Sequence, residues 1–139
     1  MAVLLGFMGF ILFRAPPKPN PPNEAAFGCY QTRYAPNLLL DQRGLVIDQP
    51  EMNPALYRLD RAKIGIILII DDPIDLRQTP IGYRFAQSIR GTGRSYPFVY
   101  RTDTKAYYTF DENDLSVFQV TANDGVRFEY RRQPRNRCG

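Results

Sequence analysis

From Phe27 onward the chain is cut into short apolar runs by polar turn sequences, and this punctuation limits the fold more than any other feature. Asp41-Gln42-Arg43-Gly44 separates the runs 37–40 and 45–48, with Gly where a hairpin turn needs a positive φ. Residues 60–63 separate 55–59 from 64–70, residues 102–105 separate 96–101 from 106–110, and Ala122-Asn123-Asp124-Gly125 separates 115–121 from 126–131. Each pair reads as an antiparallel hairpin. The run Ile64-Gly65-Ile66-Ile67-Leu68-Ile69-Ile70 is apolar on both faces and is expected at the centre of a sheet. It must stop at Asp71-Asp72-Pro73, because Pro has no N–H for a ladder and the carboxylates resist burial.

One segment fits two periods. In 79–91, Thr79-Pro80 resembles a helix start and Ile81, Phe85 and Ile89 recur at four-residue spacing, yet alternation fits equally well and Gly82 disfavours a helix. A strand is the preferred reading. The fold class is therefore mostly β: a small antiparallel barrel or sandwich of about eight short strands. The domain is assigned to 24–139, following a hydrophobic segment at 1–13 and a Pro-rich linker at 14–23.

Residues 1–13 are continuously apolar apart from two glycines and are followed by Arg14 and a stretch rich in proline. As a helix they would reach about 20 Å, short of the roughly 30 Å hydrocarbon core. The reading is a membrane anchor or signal-like segment through 1–13, with the domain extracytoplasmic, either periplasmic or extracellular. The Pro-rich stretch then acts as an extended spacer holding the domain about 20 to 30 Å off the surface.

Export would bring Cys29 and Cys138 into an oxidising compartment. A bridge between them would tie the two ends of the domain and contribute roughly 4 to 5 kcal/mol in the chain-entropy model. The chain has no His, which removes the commonest general base and the usual Ser/His and Cys/His pairs. Two Cys cannot complete a structural zinc site, and Asp71, Asp72 and Asp75 read as a solvated turn, so no catalytic or metal site is assigned and no cofactor is implied. The formal charge of +4 is local: 24–124 carries 11 basic and 13 acidic residues, while Arg127, Arg131, Arg132, Arg135 and Arg137 crowd the end. That distribution lacks the extended positive footprint of phosphate tracking and argues against nucleic acid as a partner.

Arg90-Gly91-Thr92-Gly93-Arg94 is the one loop with a recognition chemistry. Glycine amides and two guanidinium groups at Arg90, Gly91, Gly93 and Arg94 match a phosphate or carboxylate ligand. The aromatic residues Tyr96, Phe98, Tyr100, Tyr107, Tyr108 and Phe110 are expected to be core. The functional expectation is an envelope-anchored or exported β-domain with a non-catalytic binding or structural role, its partner another protein. The alternatives are a β-barrel carrier of a small apolar ligand and a carboxylate-dependent hydrolase.

Overall fold

The computed structural model describes residues 17–134 and 138. Its elements are a four-residue 3-10 turn (Asn23–Ala26) and β1 (Gly28–Gln31), β2 (Leu38–Asp41), β3 (Gly44–Ile47), β4 (Tyr57–Ala62), β5 (Gly65–Ile70), β6 (Ile74–Thr79), β7 (Gly82–Gln87), β8 (Arg94–Pro97), β9 (Val99–Arg101), β10 (Ala106–Tyr108), β11 (Val117–Thr121) and β12 (Arg127–Arg132). A curled half-barrel sheet runs β11-β12-β1-β2-β3, every neighbour antiparallel. Smaller sheets run β4-β5-β8, β6-β7 and β10-β9. Isolated bridges join Leu45 to Ala55, just ahead of β4, and Phe98 to Phe118, between the β8–β9 junction and β11.

The two-residue period sets the inner face. In β12, Phe128 and Tyr130 are buried while Arg127 and Arg131 are exposed; a slip of one residue would bring the arginines inside. Phe118, fully buried, is the hub of the core. Tyr130 stacks on it at 5.5 Å and Tyr96 at 6.1 Å, and Phe98 meets it edge-on at 5.5 Å. Tyr30 tilts against it at 4.8 Å. Such rings bury large areas and add ring-ring attraction, so the middle of the domain is filled by side chains.

The buried hydroxyls of Tyr30, Tyr57 and Tyr130 are tied to backbone. Tyr130 donates to the Pro36 carbonyl at 2.8 Å, and Tyr57 to that of Asn23 at 3.0 Å. The Tyr30 hydroxyl lies 2.9 Å from the Ala26 carbonyl and 2.8 Å from that of Leu115, and accepts from Arg132 Nε at 2.9 Å. Arg132 Nη2 also reaches the carbonyls of Ala25 (3.0 Å) and Leu115 (2.8 Å). One guanidinium thus fastens the 3-10 turn, β1 and the approach to β11 together.

Cys29 and Cys138 form the expected disulfide, with Cα atoms 5.2 Å apart. Cys29 is fully buried in β1, and the backbone N–H of Gln133 donates to its carbonyl at 2.7 Å, so the end of β12 is held along β1. Arg135 and Arg137 lie outside the described residues.

The membrane anchor needs correction. Residues 1–13, to which it was assigned, lie outside the described residues, and among the described residues no helix is long and apolar enough to cross a membrane. Among the described residues the one named helical element is the 3-10 turn Asn23–Ala26, which at about 2 Å per residue spans a small fraction of a bilayer. The anchor, the membrane as a partner and the membrane-anchored location are therefore withdrawn. The spacer reading also changes. Arg61 donates from Nε to the Pro19 carbonyl (3.1 Å) and from its backbone N–H to Asn20 Oδ1 (2.8 Å), and Pro21 is buried, so the described part of the Pro-rich stretch lies on the domain instead of projecting from it.

Other differences are local. The β4–β5 turn falls at Lys63-Ile64, later than the polar run suggests, because Arg61 and Ala62 still pair with Ile66 and Gly65. Asp75, read as part of a solvated turn, lies in β6, with Ile74 and Leu76 buried and Asp75 and Arg77 on the other face. Residues 82–87 are a strand as preferred. Thr79 pairs with Gly82 across the two-residue turn Pro80-Ile81, and the Thr79 hydroxyl donates to the Gly82 carbonyl at 2.6 Å.

Candidate functional site

The aromatic-rich segment divides where the sequence offered one reading for all of it. Tyr96 and Phe98 are core, whereas Tyr100, Tyr107, Tyr108 and Phe110 are between 43% and 57% exposed. Tyr100 and Tyr107 sit directly opposite each other on β9 and β10, rings stacked at 5.6 Å. With Ile64 from the β4–β5 turn they line an open groove together with Phe110, Asp111 and Asp114. Cross-strand tyrosines facing water are sheet stabilisers in part, but a contiguous aromatic surface of this kind is also what a binding face looks like.

The groove is built by close backbone approach. Thr109, at the end of β10, donates its N–H to the Phe98 carbonyl (3.1 Å) and accepts from the Ile66 N–H (2.9 Å). The second bond requires glycine at position 65: φ there is +144°, and a Cβ would lie 2.6 Å from the Thr109 carbonyl oxygen. The sequence signal for this was Gly65 inside an otherwise unbroken apolar run, which marks a place where another backbone comes close.

The segment 90–94 connects β7 to β8, with Arg94 the first residue of β8. Its Arg94 is engaged internally: Nε and Nη2 meet Asp75 Oδ1 at 2.8 and 2.7 Å, Nη1 donates to the Gly93 carbonyl at 2.6 Å, and Nη2 reaches the Arg90 carbonyl at 3.3 Å. A Cβ at Gly93 would lie 2.6 Å from the Ile70 carbonyl oxygen, so that glycine serves packing against β5. Gly91 is exposed, and Arg90 is anchored through its N–H to Ser88 Oγ at 3.1 Å. An anion at Arg90, Gly91, Gly93 and Arg94 would compete with Asp75 for Arg94.

Burial alone would raise the Asp75 carboxyl, but hydrogen bonds from Arg94, Ser88 and Arg77 and the charge of Arg94 hold it below the ordinary carboxylate range. Asp75 is thus a partly buried structural anion rather than the solvated turn residue expected of it, while Asp71 and Asp72 are exposed as expected. Glu129 is held low by its hydrogen bond from Arg101, with Arg131 adding a second ion pair at 2.9 Å. These carboxylates are dispersed: among the described residues no three His, Cys, Asp or Glu side chains gather closely enough to hold a metal ion.

No family model, curated protein or solved structure matches this chain. The domain is a small β-rich unit with a disulfide, and its functional reading rests on its own geometry.

Proposed function

We propose that this chain is a non-catalytic binding domain whose working surface is the aromatic groove between Ile64 and Phe110. The observation that carries the reading is the contrast between core and surface. Tyr30, Phe98, Phe118 and Tyr130 fill the centre, so an apolar ligand inside the domain has rings to displace, while four aromatic side chains on one loop-and-hairpin unit stay in contact with water. The hydrolase alternative would need two carboxylates converging on one bond, and Asp75 and Glu129 each converge on arginines instead.

The proposal includes a closed barrel as the scaffold. The Leu45–Ala55 bridge supports a join from β3 to β4, and the Phe98–Phe118 bridge supports a join from β8 to β11, which completes a circuit through β5, β12, β1 and β2. A closed scaffold would leave the β9–β10 hairpin as a rigid projection, suited to presenting Tyr100 and Tyr107.

Panning a random peptide display library on the full chain tests the reading, with the Tyr107→Ala/Phe110→Ala variant for counter-selection. Sequences enriched on the native chain and lost on the variant support it. Equal enrichment on both, or none on either, refutes it.

A further inference from the structure

We propose that the groove takes an extended, proline-rich segment of a partner protein that carries Lys or Arg. This deepens the binding reading above and rests on it. The walls suit prolyl rings: the stacked Tyr100–Tyr107 pair and Phe110 offer aromatic faces between which such rings lodge. A polyproline II backbone has no internal hydrogen bonds, so its carbonyls need donors. Among the described residues the hydroxyls of Tyr100, Tyr107 and Tyr108 donate to no protein acceptor, and all three residues line the groove.

Charge selects the cation. Asp111 and Asp114 line the groove, and among the described residues neither is ion-paired, whereas Glu112 beside them meets Arg61 at 3.4 Å. Asp111 Oδ1 accepts the Asn113 N–H (2.9 Å) and Asp114 Oδ1 the Ser116 hydroxyl (3.0 Å), which leaves acceptor positions on both carboxylates. A Lys or Arg on the partner would complete them and gain from the neighbouring ring faces.

The chain already holds a segment of this chemistry next door. Pro19 gives its carbonyl to Arg61 Nε, the same guanidinium donates from Nη1 to the Phe110 carbonyl at 3.1 Å, and Lys18 lines a depression with Phe110, Asp111 and Glu112. The loop from Phe110 to Asn113 therefore already has a prolyl carbonyl beside it, held through Arg61, with Lys18, Asp111 and Glu112 lining one depression. The partner would extend that arrangement along the tyrosines, and its preformed backbone loses little entropy on docking.

The test is a titration of a blocked peptide of repeated Pro-Pro-Lys triplets into the isotope-labelled full chain, followed by amide chemical shifts. Saturable shifts confined to Tyr100, Tyr107, Tyr108 and the loop from Phe110 to Asp114 are expected. Binding should weaken roughly tenfold for Asp111→Asn/Asp114→Asn and for a Pro-Pro-Glu peptide, and fall off with added salt. Asp111 is exposed and Asp114 half-buried at the loop surface, and the variant's circular dichroism should match the native chain's. Equal binding of Pro-Pro-Glu or of Ala-Ala-Lys triplets, shifts elsewhere, no saturation, or self-association through the groove without a peptide response would each overturn the proposal. If the display library still yields groove-dependent peptides while Pro-Pro-Lys fails, the partner chemistry is wrong and the binding surface stands. Failure of both removes the surface as well.

Discussion

Cys138→Ser isolates what the disulfide contributes to stability. Cys138 is exposed, so the serine is solvated, and Cys29 remains as a small buried thiol that leaves no cavity. The bridge closes a loop across a sequence separation of 109. In the chain-entropy relation a loop of that size removes about 16 cal/mol/K from the unfolded chain, or about 4.8 kcal/mol at 25 °C. For a domain of this length that corresponds to a melting temperature lower by roughly 15 to 20 °C. Urea titrations of the oxidised chain, the reduced chain and Cys138→Ser provide the measurement. The two unbridged forms should coincide, and their m-values should exceed that of the oxidised chain, because an unlinked unfolded state exposes more surface. A loss below about 1 kcal/mol, with unchanged m, would show that the unfolded chain gains little freedom when the link is cut and that the entropic reasoning fails here.

Asp75→Asn should lower stability by about 1 to 2 kcal/mol because it weakens charge-assisted bonds to a guanidinium, whereas Asp71→Asn, whose pair with Arg58 is exposed on both sides, should change it by less than about 0.5 kcal/mol in the same denaturation assay. Gly65→Ala should cost about 2 to 3 kcal/mol and speed exchange of the Ile66 amide, since the new methyl displaces the Thr109 carbonyl; an unchanged exchange rate would refute the close-approach argument. Burial pushes the Tyr30 hydroxyl up to about 12 against the opposing Arg132, and burial raises Tyr57, Tyr96 and Tyr130 as well. Folded values above the unfolded value of about 10 mean that this stability is complete below pH 10 and is lost as pH rises through the folded values, so urea midpoints should fall between pH 10 and 11; a flat profile there would contradict the buried-tyrosine assignment.

The hairpins and their apolar faces were legible because turn chemistry and two-residue alternation are local properties, as at Asp41–Gly44 and Ala122–Gly125. The Cys29–Cys138 bridge was legible because only two cysteines exist to pair. The aromatic groove was not. Tyr96 and Phe98 read the same as Tyr100 and Tyr107, and what separates them is that β9 and β10 pair only with each other beyond Phe98. Asp75 looked like Asp71 and Asp72 for a similar reason: Arg94, which draws it inward, lies 19 residues away. The docking of Pro19 and Asn20 on Arg61 spans 42 and 41 residues, and no local pattern encodes such a contact.

The bridge from β1 to the penultimate residue also determines how the folded unit carries tension. A pull applied between the chain before β1 and Cys138 passes through one covalent bond at Cys29, so the strands between them are shielded from it. At about 3.4 Å per extended residue, the 109-residue separation represents roughly 370 Å of contour that stays hidden while the bond is intact. Reduction would convert a nearly inextensible link into a long compliant one, and single-molecule stretching with and without reductant would read that length directly.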